Sequence, residues 1–469
     1  MKQALLLEPG AVEGKRFTEA QAYLESLIRK LGSKRKNSMG LERTQALLGL
    51  LGNPETNYPI IHVGGTNGKG STCVLAASIL QEAGYKVGLH LSPHLQDITE
   101  RVIVNGAPIA RGEFIALVER LKPLVEKIKR ETPWGAPSYF EVLVAMALLH
   151  FAEQEVDVAV IEVGLGGRLD ATNVVSSRVS VLTNVELDHT NLLGNTVEEI
   201  AMEKVEIFKK GSRVVAGAAQ ESVRKIVQAK ASREDCELAC LGKEVVIENA
   251  NCGVDGSVFD LRVNGKALRR LKLSLLGEHQ VRNAALAVAA VEGLKDELPV
   301  GGASIRAALK NAFFPGRLEV ASRNPLVLLD GAHNPSKAKA LAATLQSLFP
   351  GKKITFVFAM KGDKDFGEVL KELKPVSEAF VLTEFTSLPE TAKGPVPAGR
   401  IARKLSEDAG DYSVFVEKNP RQAIITALEK ASRDAIVCVT GSLYLVGEAR
   451  NSFGLAYMLK RRLARARFK

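Results

Sequence analysis

Aromatic side chains are scarce in this sequence: they make up 5% of 469 residues, with a single tryptophan. The basic clusters therefore have no interleaved rings on which nucleic-acid bases would stack. Cysteine is equally thin. Cys73, Cys236, Cys240, Cys252 and Cys438 are scattered and odd in number. They form no paired zinc spacing, so reduced structural thiols are expected. Long apolar runs are missing too. The stretch near Val142 to Ala152 is too short to span a bilayer, and Ala4 to Leu7 is too short for the core of a signal peptide. A cytosolic chain without membrane contact is expected. Acidic residues are outnumbered, 53 against 63 Lys and Arg, for a net charge of +10. That surplus favours anionic partners. Part of it is local, in Arg29-Lys30, Lys34-Arg35-Lys36 and the tail Lys460-Arg461-Arg462, Arg465, Arg467, Lys469. Solvated surface is the plainer reading of these clusters, and we adopt it for the tail.

What is present is an ordinary globular composition, 46% hydrophobic and 25% charged, with enough length for two or three domains. Its centre is His62 to Thr72. The apolar run Ile60 to Val63 leads in, and a helical pattern from Val74 to Ala83 leads out to Gly84. Strand, glycine-rich loop and helix in that order make a phosphate-binding loop. Gly65, Thr66, Asn67, Gly68, Lys69, Gly70, Ser71 and Thr72 are its candidate contacts. Lys69 supplies a point charge for a triphosphate, and Ser71 and Thr72 supply hydroxyls for phosphate or hydrated Mg²⁺. The loop departs from the common spelling, because Gly70 separates Lys69 from Ser71.

Strand and helix patterns alternate along most of the chain. Helices are expected at Phe17 to Leu31, Glu113 to Arg130, Tyr139 to Glu153 and Val197 to Lys209, with strands at Val87 to Leu91, Val158 to Val163 and Val179 to Val185. Glu100 to Gly106 reads as strand and turn. The period drops to two from Val245 to Leu276, a small antiparallel excursion. After Phe314-Pro315-Gly316-Arg317 the alternation restarts, at Leu326, Ile354, Ala379, Ser413 and Ala435. Thr391 to Pro397 reads as a surface loop. This predicts an α/β protein of two doubly wound domains, residues 1–313 with a P-loop ATPase-like fold and 314–469 Rossmann-like. Ligands should gather at the C-terminal strand ends.

Several side chains fall there. Glu162, near the end of a buried strand, needs a partner. With His189 and Ser92 at neighbouring strand ends it can ligate Mg²⁺, although a satisfied loop histidine is the plainer reading of His189. Lys204 lies on the apolar face of its helix, with Ile200 and Phe208 one turn either side. It is either a snorkelling lysine or an amine of lowered pKa that can add carbon dioxide and become a carbamate ligand. Arg317, at the domain junction, can reach a phosphate or form a simple ion pair. Asp330 is placed to take ribose hydroxyls or to cap its loop, and His333 to meet acceptor or phosphate.

These pieces resemble one family, the folylpolyglutamate synthases, including the dihydrofolate synthase form, among the Mur-type amide ligases. The resemblance spans nearly the whole chain. It rests on Gly40-Leu41-Glu42-Arg43, the loop from His62 to Thr72, Ser92-Pro93-His94-Leu95 with Glu100-Arg101, Tyr139-Phe140-Glu141, Glu162 to Asn173 and Leu187-Asp188-His189-Thr190. It continues through Glu203-Lys204, Gly277-Glu278-His279-Gln280 with Asn283, Phe314 to Arg317, Asp330 to Pro335, Asp363-Lys364-Asp365 and Gly441 to Tyr444. It implies ATP phosphates on Lys69 and its loop, and Mg²⁺ on Ser92, Glu162 and His189. It implies carbamylation of Lys204, adenosine and ribose at Asn283 and Asp330, and phosphate at Arg317. His333 is implied near the glutamate, and the pterin around Ser92, Pro93, His94, Leu95, Tyr139, Phe140 and Asp170. Val205-Glu206 stands where the family usually has Ala-Gly, and helical spacing turns Glu206 outward.

The implied chemistry is attack of a substrate carboxylate on the γ-phosphate, then attack of the glutamate amine on the acyl phosphate. The implied partners are folate or dihydropteroate, L-glutamate and ATP, with no nucleic acid, acting on a monomer. A peptidoglycan-type Mur ligase and an ATP-binding regulatory or nucleic-acid protein are the alternatives.

Overall fold

Neighbouring residues of a strand face opposite ways, and in this chain both ways lead into a core. The computed structural model describes residues 9–28, 40–386, 394–407, 410–432 and 435–455. In it Ile61 and Val63 join one buried cluster and Ile60 another; Val158 and Val160 part from Ala159 and Ile161 in the same way. Strands without a polar face need helices on both sides, the condition of a parallel sheet.

Among the described residues the first sheet has eight strands: β1 (Ile60–Gly64), β2 (Val87–His90), β3 (Val102–Val104), β4 (Ala107–Pro108), β5 (Val158–Glu162), β6 (Val179–Leu182), β7 (Arg213–Ala216) and β8 (Glu237–Cys240). Their order is β4-β3-β2-β5-β1-β6-β7-β8. All pairs from β2 to β8 are parallel, and β3 and β4 add an antiparallel edge. The period-two stretch forms a separate antiparallel sheet of β9 (Val245–Gly253), β10 (Gly256–Val263) and β11 (Lys266–Leu273). Its inner face lays Phe259, Leu261, Leu268 and Leu271 on the cluster that also holds Leu286 and Val288 of the helix Glu278–Glu292. The third sheet begins beyond the junction: β12 (Glu319–Arg323), β13 (Leu326–Leu329), β14 (Ile354–Phe358), β15 (Ser377–Leu382), β16 (Ser413–Val416) and β17 (Ile436–Thr440), in the order β12-β13-β17-β14-β15-β16. Both large sheets are doubly wound, as the alternation predicts.

Local departures have local causes. The first helix is Pro9–Ser26, not Phe17 to Leu31. Pro9 suits a first turn, and Ser26 Oγ donates to Tyr23 O (2.6 Å) where the helix ends. Glu100-Arg101 close a 3₁₀ turn, Ile98–Arg101, and do not extend a strand. The Glu100 carboxylate folds back to accept the N–H groups of Leu95, Gln96 and Asp97 at 2.7, 3.0 and 3.0 Å. The helix expected to reach Lys209 ends at Lys204 and tightens into a 3₁₀ turn, Val205–Ile207, which leaves Phe208 extended. The Glu203 carbonyl is taken by Arg168 N–H (2.9 Å), and Asn173 Nδ2 takes the Glu206 carbonyl (3.3 Å). Edge strands β8 and β12 and the helix Glu221–Arg233 had no sequence signal strong enough to place them. Leu31, Ala4 to Leu7, the basic clusters at 29–36 and 460–469, and Thr391 to Lys393 lie outside the described residues.

The two large sheets are tied at a seam under the helix Leu443–Ser452. A Cβ on Gly447 would stand 2.1 Å from the Leu95 carbonyl, so only glycine lets the two backbones meet there. Gln96 Nε2 donates to Asn451 Oδ1 (2.6 Å), and Arg450 Nε donates to Gln96 Oε1 (2.9 Å). Arg450 is also ion-paired with Glu319, both buried, and the other Glu319 oxygen accepts Gly316 N–H (2.9 Å). Glu319→Gln leaves the guanidinium without its counter-charge. It should lower unfolding free energy by about 3–5 kcal/mol, read as a shift of the urea midpoint.

Candidate active site

β1 ends at Gly64 and the helix Lys69–Glu82 starts at Lys69, leaving four residues to turn the chain. Gly65 and Gly68 hold φ of +135° and +83°. A Cβ on Gly65 would lie 1.9 Å from Thr183 Oγ1, and one on Gly68 2.3 Å from Asn283 Oδ1. Both positions thus need glycine for conformation and for space. Thr183 Oγ1 donates to Asn67 O (2.6 Å), and Asn67 N–H donates to Asn184 Oδ1 (2.8 Å), so the loop is fixed from β6's end. The first intrahelical bond is Thr72 N–H to Gly68 O (2.9 Å). The N–H groups of Lys69, Gly70 and Ser71 precede it and have no partner inside the helix. These residues line a cavity of about 360 Å³ between the two large sheets.

Lys69 curls over its own loop and donates to the carbonyls of Gly65 (3.1 Å) and Thr66 (3.3 Å). Lys204 is buried and donates to the same Gly65 carbonyl at 3.0 Å. It does not snorkel. Burial, and next the Lys69 charge, push its pKa down to about 7. Much of it is therefore a neutral amine near neutral pH, the form that adds carbon dioxide. Glu206 does point away, but it is not idle: it pairs with Lys230 (2.9 Å) and Arg233 (3.4 Å).

Ser92, Glu162 and His189 edge the same cavity. Glu162 Oε2 accepts Ser92 N–H at 2.9 Å. Burial pushes its carboxyl pKa up, against the pull of Lys69. His189 takes a left-handed backbone, φ +51°. Burial and then Lys364 push its imidazole down to about 4, so it is neutral at pH 7. Its Nε2 faces Lys364 Nζ at 3.3 Å, and ligation of a metal there requires that lysine to move. Lys364 also holds Asp188 at 2.8 Å; burial raises the Asp188 pKa, but Lys364 and His189 outweigh it and keep it below the usual range. Among the described residues no group of three or more His, Cys, Asp or Glu converges. One carboxylate, one hydroxyl and one imidazole suit a cation that keeps waters and phosphate oxygens, which is the habit of Mg²⁺. The Thr72 hydroxyl is buried without a partner and does not face the cavity.

The opposite wall comes from the third sheet. The Arg317 guanidinium stands 4.9 Å over the Phe314 ring. Asp330 Oδ2 accepts Leu318 N–H and Oδ1 accepts Ala332 N–H, both at 2.9 Å, so it caps its loop while lining the cavity. Burial pushes its carboxyl pKa up. Asn334 Nδ2 reaches Asp188 Oδ2 (3.0 Å) and Asn67 Oδ1 (3.1 Å), and Asn67 Nδ2 reaches Ser336 Oγ (3.2 Å). The C-terminal loop therefore holds the phosphate loop directly.

A second cavity, about 450 Å³, is lined by Pro93, Arg101, Tyr139, Phe140, Asp170 and Tyr444. Asp170 accepts the N–H groups of Leu165 (2.8 Å) and Thr172 (3.0 Å). Ser92, His189 and His333 border both cavities, which meet there. Of the residues expected in contact with ligand, Thr72, His94 and Leu95 line neither of the two. His94 Nδ1 accepts Arg101 Nε–H at 2.9 Å, and Leu95 packs under Gly316. Asp188, Arg101, Lys337 and Lys364 line the cavities and were not expected there. For Lys337 the available signal was its place in the first turn of a helix that opens beside His333. Gly68→Ala should weaken ADP binding by about tenfold or more, because the new Cβ forces either the loop or Asn283 to move. Calorimetric titration checks this, with the melting temperature as the control for folding.

Comparison with known proteins agrees with this geometry. The Mur ligase middle domain matches residues 63–291 and the Mur ligase glutamate ligase domain matches 316–443. The dihydrofolate synthase/folylpolyglutamate synthase of Bacillus subtilis (strain 168) is 38% identical over 440 residues, 92% of this chain and 98% of that relative. A Mycobacterium tuberculosis folylpolyglutamate synthase complexed with ADP and AMPPCP superposes with a TM-score of 0.87 at 33% identity, covering 95% of this chain and 99% of that one. Escherichia coli FolC in complex with DHPP and ADP gives 0.81 at 30% identity, covering 93% and 97%. With a phosphate loop facing a second doubly wound sheet and relatives matched over nearly their full length, the chain belongs to the dihydrofolate synthase/folylpolyglutamate synthase family of Mur ligases.

Proposed function

We propose that this protein is an ATP-dependent carboxylate–amine ligase that adds L-glutamate to a folate, to dihydropteroate, or to both. The observation that carries the reading is the junction of the two cavities at Ser92, His189 and His333. One cavity is floored by the phosphate loop and the other is walled by aromatic rings, so a carboxylate held in the second meets a terminal phosphate held in the first. The ADP and DHPP complexes of the relatives support this assignment. Residues 1–313 hold the nucleotide loop, and 314–469 bring Arg317, Asp330 and His333 against it.

Lys69 and Arg317 neutralise the γ-phosphoryl group as the acceptor carboxylate attacks it. Asn283 and Asp330 position the nucleoside. Glu162, Ser92 and His189 would hold Mg²⁺, which would supply further charge neutralisation on the phosphate oxygens. A carbamate on Lys204, whose amine lies 3.0 Å from Gly65 O, would add an anionic ligand to this set. Tyr139, Phe140, Pro93 and Asp170 hold the pterin end of the acceptor. The glutamate amine then attacks the acyl phosphate near His333, phosphate leaves, and the amide remains. Enclosure between the sheets keeps water from the acyl phosphate.

ADP release in the presence of Mg²⁺-ATP and glutamate should follow addition of dihydropteroate, tetrahydrofolate or both, each supplied alone. Glu162→Ala should cut turnover by about 100-fold or more. No turnover with either acceptor, from wild-type protein that binds ADP, would rule out the folate assignment. A second prediction concerns Lys204. Carbon dioxide depletion should lower the wild-type rate and bicarbonate should restore it. Carbamate forms from the free amine, so restoration should be faster above the Lys204 pKa of about 7 than below it. Bicarbonate should not raise the residual rate of Lys204→Ala.

A further inference from the structure

Lys337 is a buried-cavity cation for which the mechanism above has no use; Arg282 is another on the same lining, but Lys337 is the one that stands with Arg317 and Lys69. It sits in the first turn of the helix Pro335–Leu348, capped by Asn334, whose Oδ1 accepts Lys337 N–H at 2.9 Å. With the backbone so fixed, the side chain reaches back past the N-cap to the loop that precedes the helix, and Nζ stands 3.1 Å from His333 Nε2. His333 Nδ1 is 2.8 Å from Gly331 O, an oxygen that only accepts. The ring proton is therefore on Nδ1, and the Nε2 lone pair receives the Lys337 ammonium. That contact is with a neutral ring: burial, and next Lys337 itself, push the His333 pKa well below its ordinary value. Lys337 forms no ion pair among the described residues.

The surroundings leave this ammonium short of negative charge. Burial lowers its pKa to about 7, with Arg317 and Lys69 the next contributors. Lys69 rises from the phosphate-loop floor, Arg317 projects from the junction, and Lys337 comes from the far wall beside the point where the cavities join. Three cations on three elements around one space fit a group with several anionic oxygens. A single carboxylate satisfies fewer of them. The loop's own N–H groups serve the inner phosphates, so the far wall faces the terminal one.

We infer that Lys337 binds the terminal phosphoryl group of the nucleotide from the C-terminal wall, beside Arg317 and opposite Lys69; this rests on the ligase reading above. His333 holds the ammonium in position until the nucleotide arrives, and the phosphoryl oxygens then take over as its acceptors.

The test is titration of wild type, Lys337→Met, Lys337→Gln and Lys337→Arg with ADP and with the non-hydrolysable analogue AMPPCP, both with Mg²⁺. The KM for glutamate is measured alongside. Lys337→Met and Lys337→Gln should weaken AMPPCP by about tenfold or more while ADP stays within about twofold, since only AMPPCP carries the group in question. Lys337→Arg should recover most of the loss, and the KM for glutamate should hold. Retained ADP binding also shows that each variant has folded. Equal weakening of both nucleotides, no weakening of either, or an effect confined to the KM for glutamate would overturn the inference. Wild-type protein that binds neither nucleotide would overturn the ligase reading and this inference with it.

Discussion

Two lysine amines share one carbonyl at the centre of this molecule, since Lys69 and Lys204 both donate to Gly65 O. Much of the site follows from that concentration of positive charge. Its carboxylates are largely committed to backbone: Glu162 to Ser92 N–H, Asp170 to Leu165 and Thr172, Asp330 to Leu318 and Ala332. Negative charge that would otherwise quench the lysines is spent on holding loops. The cavity is preorganised for a polyanion, and the pKa of Lys204 falls because burial, and next the Lys69 charge, outweigh the pull of Asp188 and Asp170.

Sequence reasoning reached this far where chemistry and local pattern coincide. The phosphate loop was readable because its glycines, lysine and hydroxyls sit at a strand-to-helix turn, and β1 and the helix Lys69–Glu82 form there. Lys204 was readable as a charge on an apolar face, although the helix ends at that residue. The buried strands on both sides of the junction were readable from their uninterrupted apolar runs. The weak edge strands β8 and β12 were not, because half-buried edges carry no clean period.

Other features are invisible without three dimensions. His94 and Leu95 share a tetrapeptide with Ser92, yet the 3₁₀ turn that follows and the Glu100 carboxylate rotate them away from the cavity. The Asp188–Lys364 and Asn67–Ser336 contacts join residues 176 and 269 positions apart. No local spacing encodes such pairs. The extended backbone at Phe208 likewise depends on long-range competition for carbonyls, here from Arg168 and Asn173.

The seam at Gly447 and the contacts around the phosphate loop differ in kind. At the seam, backbone meets backbone and a buried guanidinium is ion-paired with Glu319. Across the cavity, the sheets touch through Asn67, Asn334, Ser336, Asp188 and Lys364, polar groups whose partners water can replace at little cost. Relative rotation of the two sheets is therefore resisted at one edge and cheap at the other. Arg450 pins one edge, and amides, a hydroxyl and the Asp188–Lys364 ion pair clasp the other. Parting the clasp would break polar contacts only, because the apolar clusters on either side do not run through it.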